Sequence, residues 1–435
     1  MQPITLADWL DHQQRVHPRA IALGLDRVRA VWTRLGAPAP APTVITVAGT
    51  NGKGSTVAFL EAMLRAGGRR VGAYTSPHLL RYNERVRVDG RDAADARLVE
   101  AFARIEAARG DVALTYFEYG TLAALLIFAG AGLDVALLEV GLGGRLDAVN
   151  LIDADAAIVT SVDLDHQDWL GNDRDSIGRE KAGVFRRGRA AIVGERDPPQ
   201  ALLDEARRIG ADLRIAARDF RTATRGEAWH WSGWNDPRAA GEAVDIVLPR
   251  PALAAPCQID NAAAAIAALY ALRARLGWNP HALASGVAEA RIGARLQRFA
   301  GDPGLVVDVA HNPQAARTLA AWLHAQDART FAVFGALADK DVGGIADALR
   351  GRIDGWFLAG LERDSPRGLD AAAVRDALGE SHGAPRIEAV CADVAGALAA
   401  AFARAERGDR IVAFGSFFVP AAALQFAAAR QLSPS

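Results

Sequence analysis

The chain has 435 residues, more than one ordinary domain holds, so two or three domains are expected. Hydrophobic residues make up 51% and charged residues 23%, enough apolar material for large cores. Fifty basic residues against 51 acidic ones leave a net charge of −1, which argues against a nucleic-acid partner needing a basic face.

The opening stretch, MQPITLADWLDHQQRVHP, lacks the basic start and apolar run of a secretory leader. Residues 43–48, TVITVA, read as a buried strand that runs through a glycine-rich loop into a helix, STVAFLEAMLRAGG. There Val57, Leu60 and Leu64 share one face and Gly67 caps the end. GTLAALLIFAGAGL is a buried helix, too short to span a membrane, so no membrane partner and a cytoplasmic location are expected. Residues 134–140, 156–162 and 190–193 are further buried strands. The segment from about 196 to 255 reads as an irregular or antiparallel elaboration whose tryptophans pack or cage a ligand. RIGARLQRFAGDPG reads as a linker, placing a boundary near residue 295. Strands then resume at 304–310, 330–335, 355–359 and 409–415, with a helix after HNP. Apolar strands alternating with helices predict parallel α/β architecture. Cys257 and Cys391 form no C-x-x-C pair and are expected to be reduced core thiols.

Chemistry gathers where these strands end. The loop AGTNGKGST breaks the Walker spacing, because Gly54 follows Lys53 where Ser or Thr would stand. It still joins a strand to a helix, the setting in which backbone N–H groups cradle phosphate. Lys53 would neutralise charge there, with Ser55 and Thr56 near a metal; the alternative is a bare glycine turn. Only three of the fifty basic residues are lysines, Lys53, Lys181 and Lys340, which marks them as places where a compact or nucleophilic amine matters. Glu139 ends one strand, where a carboxylate faces the ligand crevice and can hold Mg²⁺. GLGGRL is not a dinucleotide fingerprint, since Leu146 occupies the third glycine position. Asp163, Asp165, His166 and Asp168 crowd another strand end as a candidate cation site, though not in EF-hand order. Lys181 either forms an ordinary salt bridge with Glu180 or a nearby aspartate or has a sharper role. Asp308 and His311, then Lys340 and Asp341, then Ser416 follow three strands of the second half, which suggests a site assembled between two domains.

These motifs resemble the bacterial folylpolyglutamate synthase/dihydrofolate synthase branch of the Mur-ligase superfamily. The resemblance runs from about residue 8 to about 420. It rests on LGLDRV, VAGTNGKGST, TSPHLLRYNERVRV, LTYFEYGTL, EVGLGGRLDAVN, DHQDWLG, IGREKAGVF, ARLQRF, DVAHNP and FGSF. It implies an N-terminal P-loop ATPase domain with a mostly parallel sheet over 1–294. A smaller Rossmann-like glutamate-ligase domain would follow over 295–435. It implies ATP-driven addition of L-glutamate to dihydropteroate and to reduced folates through an acyl phosphate. Thr50, Asn51, Gly52, Lys53, Gly54, Ser55, Thr56, Asn261, Arg295 and Asp308 would then contact ATP, and Ser76, Glu139 and His166 would hold two Mg²⁺ ions, with K⁺ a further candidate. Lys53, Lys181, His166, Asp308 and His311 form the implied catalytic set, with Lys181 carried as N6-carboxylysine. His311 and Ser416 would bind glutamate.

Ile21, Ala22, Leu23, Thr115, Tyr116, Phe117, Glu118, Leu146, Asp147 and Ala148 match the pterin-binding segments. On composition alone, TYFEYG offers two rings and a carboxylate suited to a pterin, or simply packs its own helix. VDLDH, RLQRF and Phe418 of FGSFFVP depart slightly from the pattern, the last bearing on glutamate recognition. The resemblance implies a monomer with small-molecule partners only. Three readings compete with it: a monofunctional folylpolyglutamate synthase, a Mur ligase acting on UDP-sugar peptides, and a nucleotide-binding regulatory module. Only 48 residues precede Gly49, too few for the UDP-binding domain of the second. The intact metal set and Lys181 argue against the third.

Overall fold

The computed structural model describes residues 3–17, 19, 21–235, 244–325, 328–379 and 385–434. Two compact units divide the chain: residues 1–252 with 259–291, and residues 253–258 with 292–435.

The first unit is built on an eight-stranded sheet whose strands, in chain order, are β1 (Thr43–Ala48), β2 (Val71–Tyr74), β3 (Val86–Val88), β4 (Arg91–Asp92), β5 (Val135–Glu139), β6 (Ala156–Val159), β7 (Ala190–Val193) and β8 (Asp212–Ile215). Their spatial order is β4-β3-β2-β5-β1-β6-β7-β8, parallel throughout except for the antiparallel pairings of β3 with β2 and with β4. β1, β5 and β6 are buried along their whole length, as parallel strands covered on both faces must be. This order makes β1 a switch point. The chain leaves it toward β2 on one side and later crosses to β6 on the other, opening a crevice beyond the carboxyl ends. Tyr116–Ala129 is a helix buried nearly all round, as its unbroken apolar run requires. It starts with a capping box between Thr115 and Glu118.

The elaboration after residue 196 holds a three-stranded antiparallel sheet of β9 (Arg221–Arg225), β10 (Ala228–Ser232) and β11 (Asp245–Pro249). Trp229 and Trp231 on β10 are fully buried and donate to the Pro249 and Ala263 carbonyls, so they pack rather than cage a ligand. The elaboration is not wholly antiparallel, because β8 within it extends the main sheet in parallel.

The second unit carries β12 (Gln297–Phe299), β13 (Gly304–Val307), β14 (Thr330–Phe334), β15 (Gly355–Ala359), β16 (Ile387–Cys391) and β17 (Arg410–Phe414). Their order is β12-β13-β17-β14-β15-β16, all parallel except β12. The expected linker therefore contains a strand: Gln297–Phe299 pairs with β13, which a basic, glycine-bearing composition concealed. Neither cysteine is in a disulfide, and each is only half-buried rather than set in the core.

Candidate active site

The loop after β1 is held from beneath by the chain leaving β6. Thr50 donates its backbone N–H to the Ser161 carbonyl at 2.8 Å, and Asn51 donates to the Ser161 hydroxyl at 3.1 Å. Thr160 in turn donates to the Asn51 carbonyl at 2.6 Å. Two glycines make this fit possible. A Cβ on Gly49 would lie 1.9 Å from the Thr160 hydroxyl oxygen, and one on Gly52 would lie 2.4 Å from Oδ1 of Asn261. Gly52 also has φ +87°, in the left-handed region that side chains resist. It is the N-cap of the helix Lys53–Ala66, which therefore begins two residues before the predicted Ser55. Its first-turn N–H groups and partial positive charge lie against the loop, the arrangement that binds phosphate. Lys53 Nζ lies over the loop, donating to the carbonyls of Gly49 and Thr50 at 2.9 and 3.1 Å. Gly52→Ala should weaken ADP binding about tenfold or more, read by calorimetry. The left-handed backbone costs about 1 kcal/mol and the displaced Asn261 adds to it.

Glu139, the last residue of β5, is 4% exposed. Its carboxylate accepts the backbone N–H of Ser76 at 3.2 Å, which brings two of the three expected metal ligands together. A buried carboxylate beside a serine is a hard oxygen donor set of the kind divalent ions take. His166 sits in the loop after β6 with φ +52° and caps the short helix Gln167–Leu170. The neighbouring acids do not form the expected cation cluster. Asp163 and Asp165 accept the next residue's backbone N–H, and Asp168 is exposed. Among the described residues no three His, Cys, Asp or Glu side chains gather into a metal-sized group.

Lys181 is 4% exposed near the end of the helix Arg174–Ala182. The ordinary salt bridge with Glu180 does not form, because Glu180 pairs with Arg145 at 2.8 Å. Burial, reinforced by the positive charge of Lys53, pulls the Lys181 amine down to about 7, while Asp165 opposes the shift. At neutral pH much of this amine is unprotonated and nucleophilic. The GLGGRLD loop packs on the backbone of this helix end: a Cβ on Gly144 would meet the carbonyls of Glu180 and Lys181 at 2.9 and 3.0 Å.

The three pterin-type segments meet although they lie far apart in sequence. Gly24 donates its N–H to the Leu146 carbonyl at 3.1 Å, tying residues 21–24 to 146–148. Arg27 pairs with Glu118 at 2.8 Å and donates to the Ala22 carbonyl at 2.5 Å, tying the same stretch to 115–118. Glu118 therefore does not project as a free acceptor. It is 3% exposed and also accepts the Thr115 N–H at 2.7 Å. Phe117 packs on Tyr74, with ring centroids 6.0 Å apart, and a Cβ on Gly141 would meet the Phe117 ring at 2.6 Å. Asp147 is fully buried and accepts the N–H groups of Gly141, Leu142 and Val149. Burial nevertheless raises its pKa to about 6. Arg27, absent from the sequence-level site, could have been suspected only from its place within LGLDRV.

In the second unit, Asp308 follows β13 and accepts the N–H groups of Leu296 and Ala310 at 2.8 Å each. Burial raises its pKa, while the charge of the Arg295 guanidinium and the two backbone hydrogen bonds work against that rise. His311 and Ser416 follow the adjacent strands β13 and β17, and the His311 ring lies 5.8 Å from that of Phe417. Ser416 is buried and accepts the Phe418 N–H at 3.2 Å. Lys340 lies 3.5 Å from Asp339, and Asp341 caps the helix Val342–Ala348.

Two family patterns match the chain, the Mur ligase middle domain over residues 47–269 and the Mur ligase glutamate ligase domain over 294–417. The chain is 45% identical over 430 residues to a dihydrofolate synthase/folylpolyglutamate synthase of Escherichia coli, covering 98% of this chain and 96% of that one. It also superposes on the E. coli FolC structure in complex with DHPP and ADP with a TM-score of 0.90 at 44% identity, covering 98% and 99% of the two chains. A bifunctional folylpolyglutamate synthase/dihydrofolate synthase structure with Mn, AMPPNP and L-glutamate bound gives a TM-score of 0.87 at 44% identity, covering 99% and 98%.

Proposed function

Because this chain belongs to the dihydrofolate synthase/folylpolyglutamate synthase family of Mur-type ligases, we propose a specific division of labour among its residues. The enzyme is an ATP-dependent ligase that adds L-glutamate to dihydropteroate and to folates. A carboxylate is a poor acyl donor because oxide is a poor leaving group. One carboxylate oxygen therefore attacks the γ-phosphorus, the bond to ADP breaks, and an acyl phosphate forms. The amine of glutamate then attacks the acyl carbon, and phosphate departs with that oxygen as the amide forms. Catalysis of such steps is chiefly positioning and charge neutralisation.

Residues 50–56 hold the ATP phosphates, with Lys53 set against the transferred one. Asn261 binds ATP beside the loop. Arg295 and Asp308 of the second unit are assigned to the same nucleotide. Ser76, Glu139 and His166 would hold a divalent cation, which neutralises phosphate charge when bound. The relative solved with Mn supports a divalent ion, and we assign Mg²⁺ as the working metal, with K⁺ as a secondary cation. Lys181 works as a carbamate, for which its depressed pKa supplies the needed neutral amine. His311 and Ser416 orient glutamate. Residues 21–23, 115–118 and 146–148 bind the pteroyl group, and the working enzyme is a monomer.

The observation that carries this reading is the meeting of those three segments through Arg27–Glu118 and Gly24–Leu146. The test supplies purified protein with ATP, Mg²⁺, glutamate and either dihydropteroate or tetrahydrofolate. Product is expected from both, and Phe117→Ala should lose at least tenfold more activity on dihydropteroate than on tetrahydrofolate. The losses differ because residues 21–23 and 115–118, as we propose, form a pocket specific to dihydropteroate beside the shared ATP site, and equal losses on both acceptors would refute that pocket.

A further inference from the structure

Arg85 carries a full charge into the first unit with no carboxylate to balance it. It is 9% exposed and sits at the end of the turn Tyr82–Arg85. Other deeply set arginines of this unit are paired: Arg87 with Glu61 at 2.8 Å, Arg27 with Glu118 at 2.8 Å, and Arg109 with Glu106 at 2.6 Å. Arg85 instead donates from Nε to Nδ1 of His78 at 2.8 Å, and its guanidinium lies 5.4 Å from the ring centroids of both Tyr82 and Tyr116. Among the described residues its terminal nitrogens have no protein partner, and they are not sealed from solvent.

A buried cation is costly unless an anion or a full set of acceptors meets it. Two ring faces and one imidazole offset part of that cost. What is missing is an anion for the guanidinium edge, whose fork matches the two oxygens of a carboxylate. The location narrows the choice. The backbone carbonyl of Arg85 accepts the Thr75 N–H at 2.9 Å, which fixes it beside Ser76, while Tyr116 opens the helix that follows Thr115. The backbone of Arg85 is thus fixed beside the metal-type turn and its guanidinium lies against a pteroyl-type segment, the neighbourhood in which the reacting carboxylate is expected.

We propose that Arg85 binds the carboxylate of the pteroyl substrate through its two terminal nitrogens. This rests on the assignment of residues 115–118 to the pteroyl group. His78 is the positioning residue, holding Nε so that the fork keeps one orientation. Pairing keeps the carboxylate ionised, and the same guanidinium then faces the anionic acyl phosphate.

The experiment compares binding of 7,8-dihydropteroate with that of its decarboxylated analogue, the anilinomethyl dihydropterin, to the full chain in the presence of ADP. Wild type should prefer the acid by about 10- to 100-fold, the range of a charge-assisted pair. Arg85→Gln should erase that preference and leave the analogue's affinity within about twofold. An unchanged preference overturns the proposal. So does equal weakening of both ligands, which is what a purely structural arginine would give. If Arg85→Gln fails to fold by circular dichroism, Arg85→Lys decides: it keeps the charge without the fork, and a preference not reduced at least threefold overturns the proposal. Failure of the wild-type chain to bind dihydropteroate at all would instead refute the pteroyl assignment beneath it.

Discussion

Lys53→Ala lowers kcat/KM for both glutamate additions by about 10²–10³-fold, with the thermal unfolding midpoint changed by no more than a few degrees. The size follows from removing a preorganised positive charge from phosphoryl transfer, where one such donor is worth about 10²–10³-fold. The fold should survive because Lys53 is only part-buried and lies at the end of a surface loop, where it donates to the carbonyls of Gly49 and Thr50. Steady-state kinetics with each acceptor, beside a melting curve, checks both halves. Normal turnover in the variant would sink the phosphate-loop assignment.

Lys181→Ala should also lose about 10²–10³-fold. Its signature differs, because a small carboxylic acid such as acetate or propionate should restore part of the activity. The carbamate forms when the neutral amine attacks CO₂ and releases a proton, so it needs the deprotonated lysine. With the amine at about 7, lowering the pH from 8 to 6 at fixed dissolved CO₂ cuts the neutral fraction about tenfold. Activity should fall with it and return when bicarbonate is restored at pH 8. The stability sign follows from the same shift. The folded-state pKa is depressed below that of the unfolded chain, so the unfolded state binds the extra proton between about 7 and 10.5. Unmodified protein should therefore gain stability as pH rises through that window. Full activity after exhaustive CO₂ removal would count against the modification.

Much of this architecture could be read from the chain because its strands are continuous apolar runs. Thr43–Ala48, Ala190–Val193 and Gly355–Ala359 coincide with the predicted segments, since strands buried on both faces carry no charged residue to blur their limits. The segment 156–162 outruns its strand, which ends at Val159, because Thr160 and Ser161 turn to hydrogen-bond the loop after β1. β12 escaped notice because an edge strand of three residues, Gln-Arg-Phe, has no hydrophobic period to detect. At the site, a motif reveals which residues are present but not which way they face. Glu118 looks like an acceptor for a pterin in TYFEYG and proves to be the partner of Arg27. The acids after β6 resemble a cation cluster by spacing, yet their oxygens are used on backbone N–H groups one residue away. Such local capping is invisible in a one-dimensional spacing rule. Arg85 lay in plain view within TSPHLLRYNERVRV, but its lack of a counter-charge is a three-dimensional property.

The backbone of His166 bears on how this protein can be engineered. A histidine at φ +52° occupies a region that glycine tolerates at little cost, and protein stabilisation routinely relaxes such positions. Here the unfavourable residue is a proposed metal ligand and caps the short helix after β6. A design procedure that scores backbone comfort alone will single out position 166 for replacement, and the tougher protein it delivers will lack a proposed metal ligand.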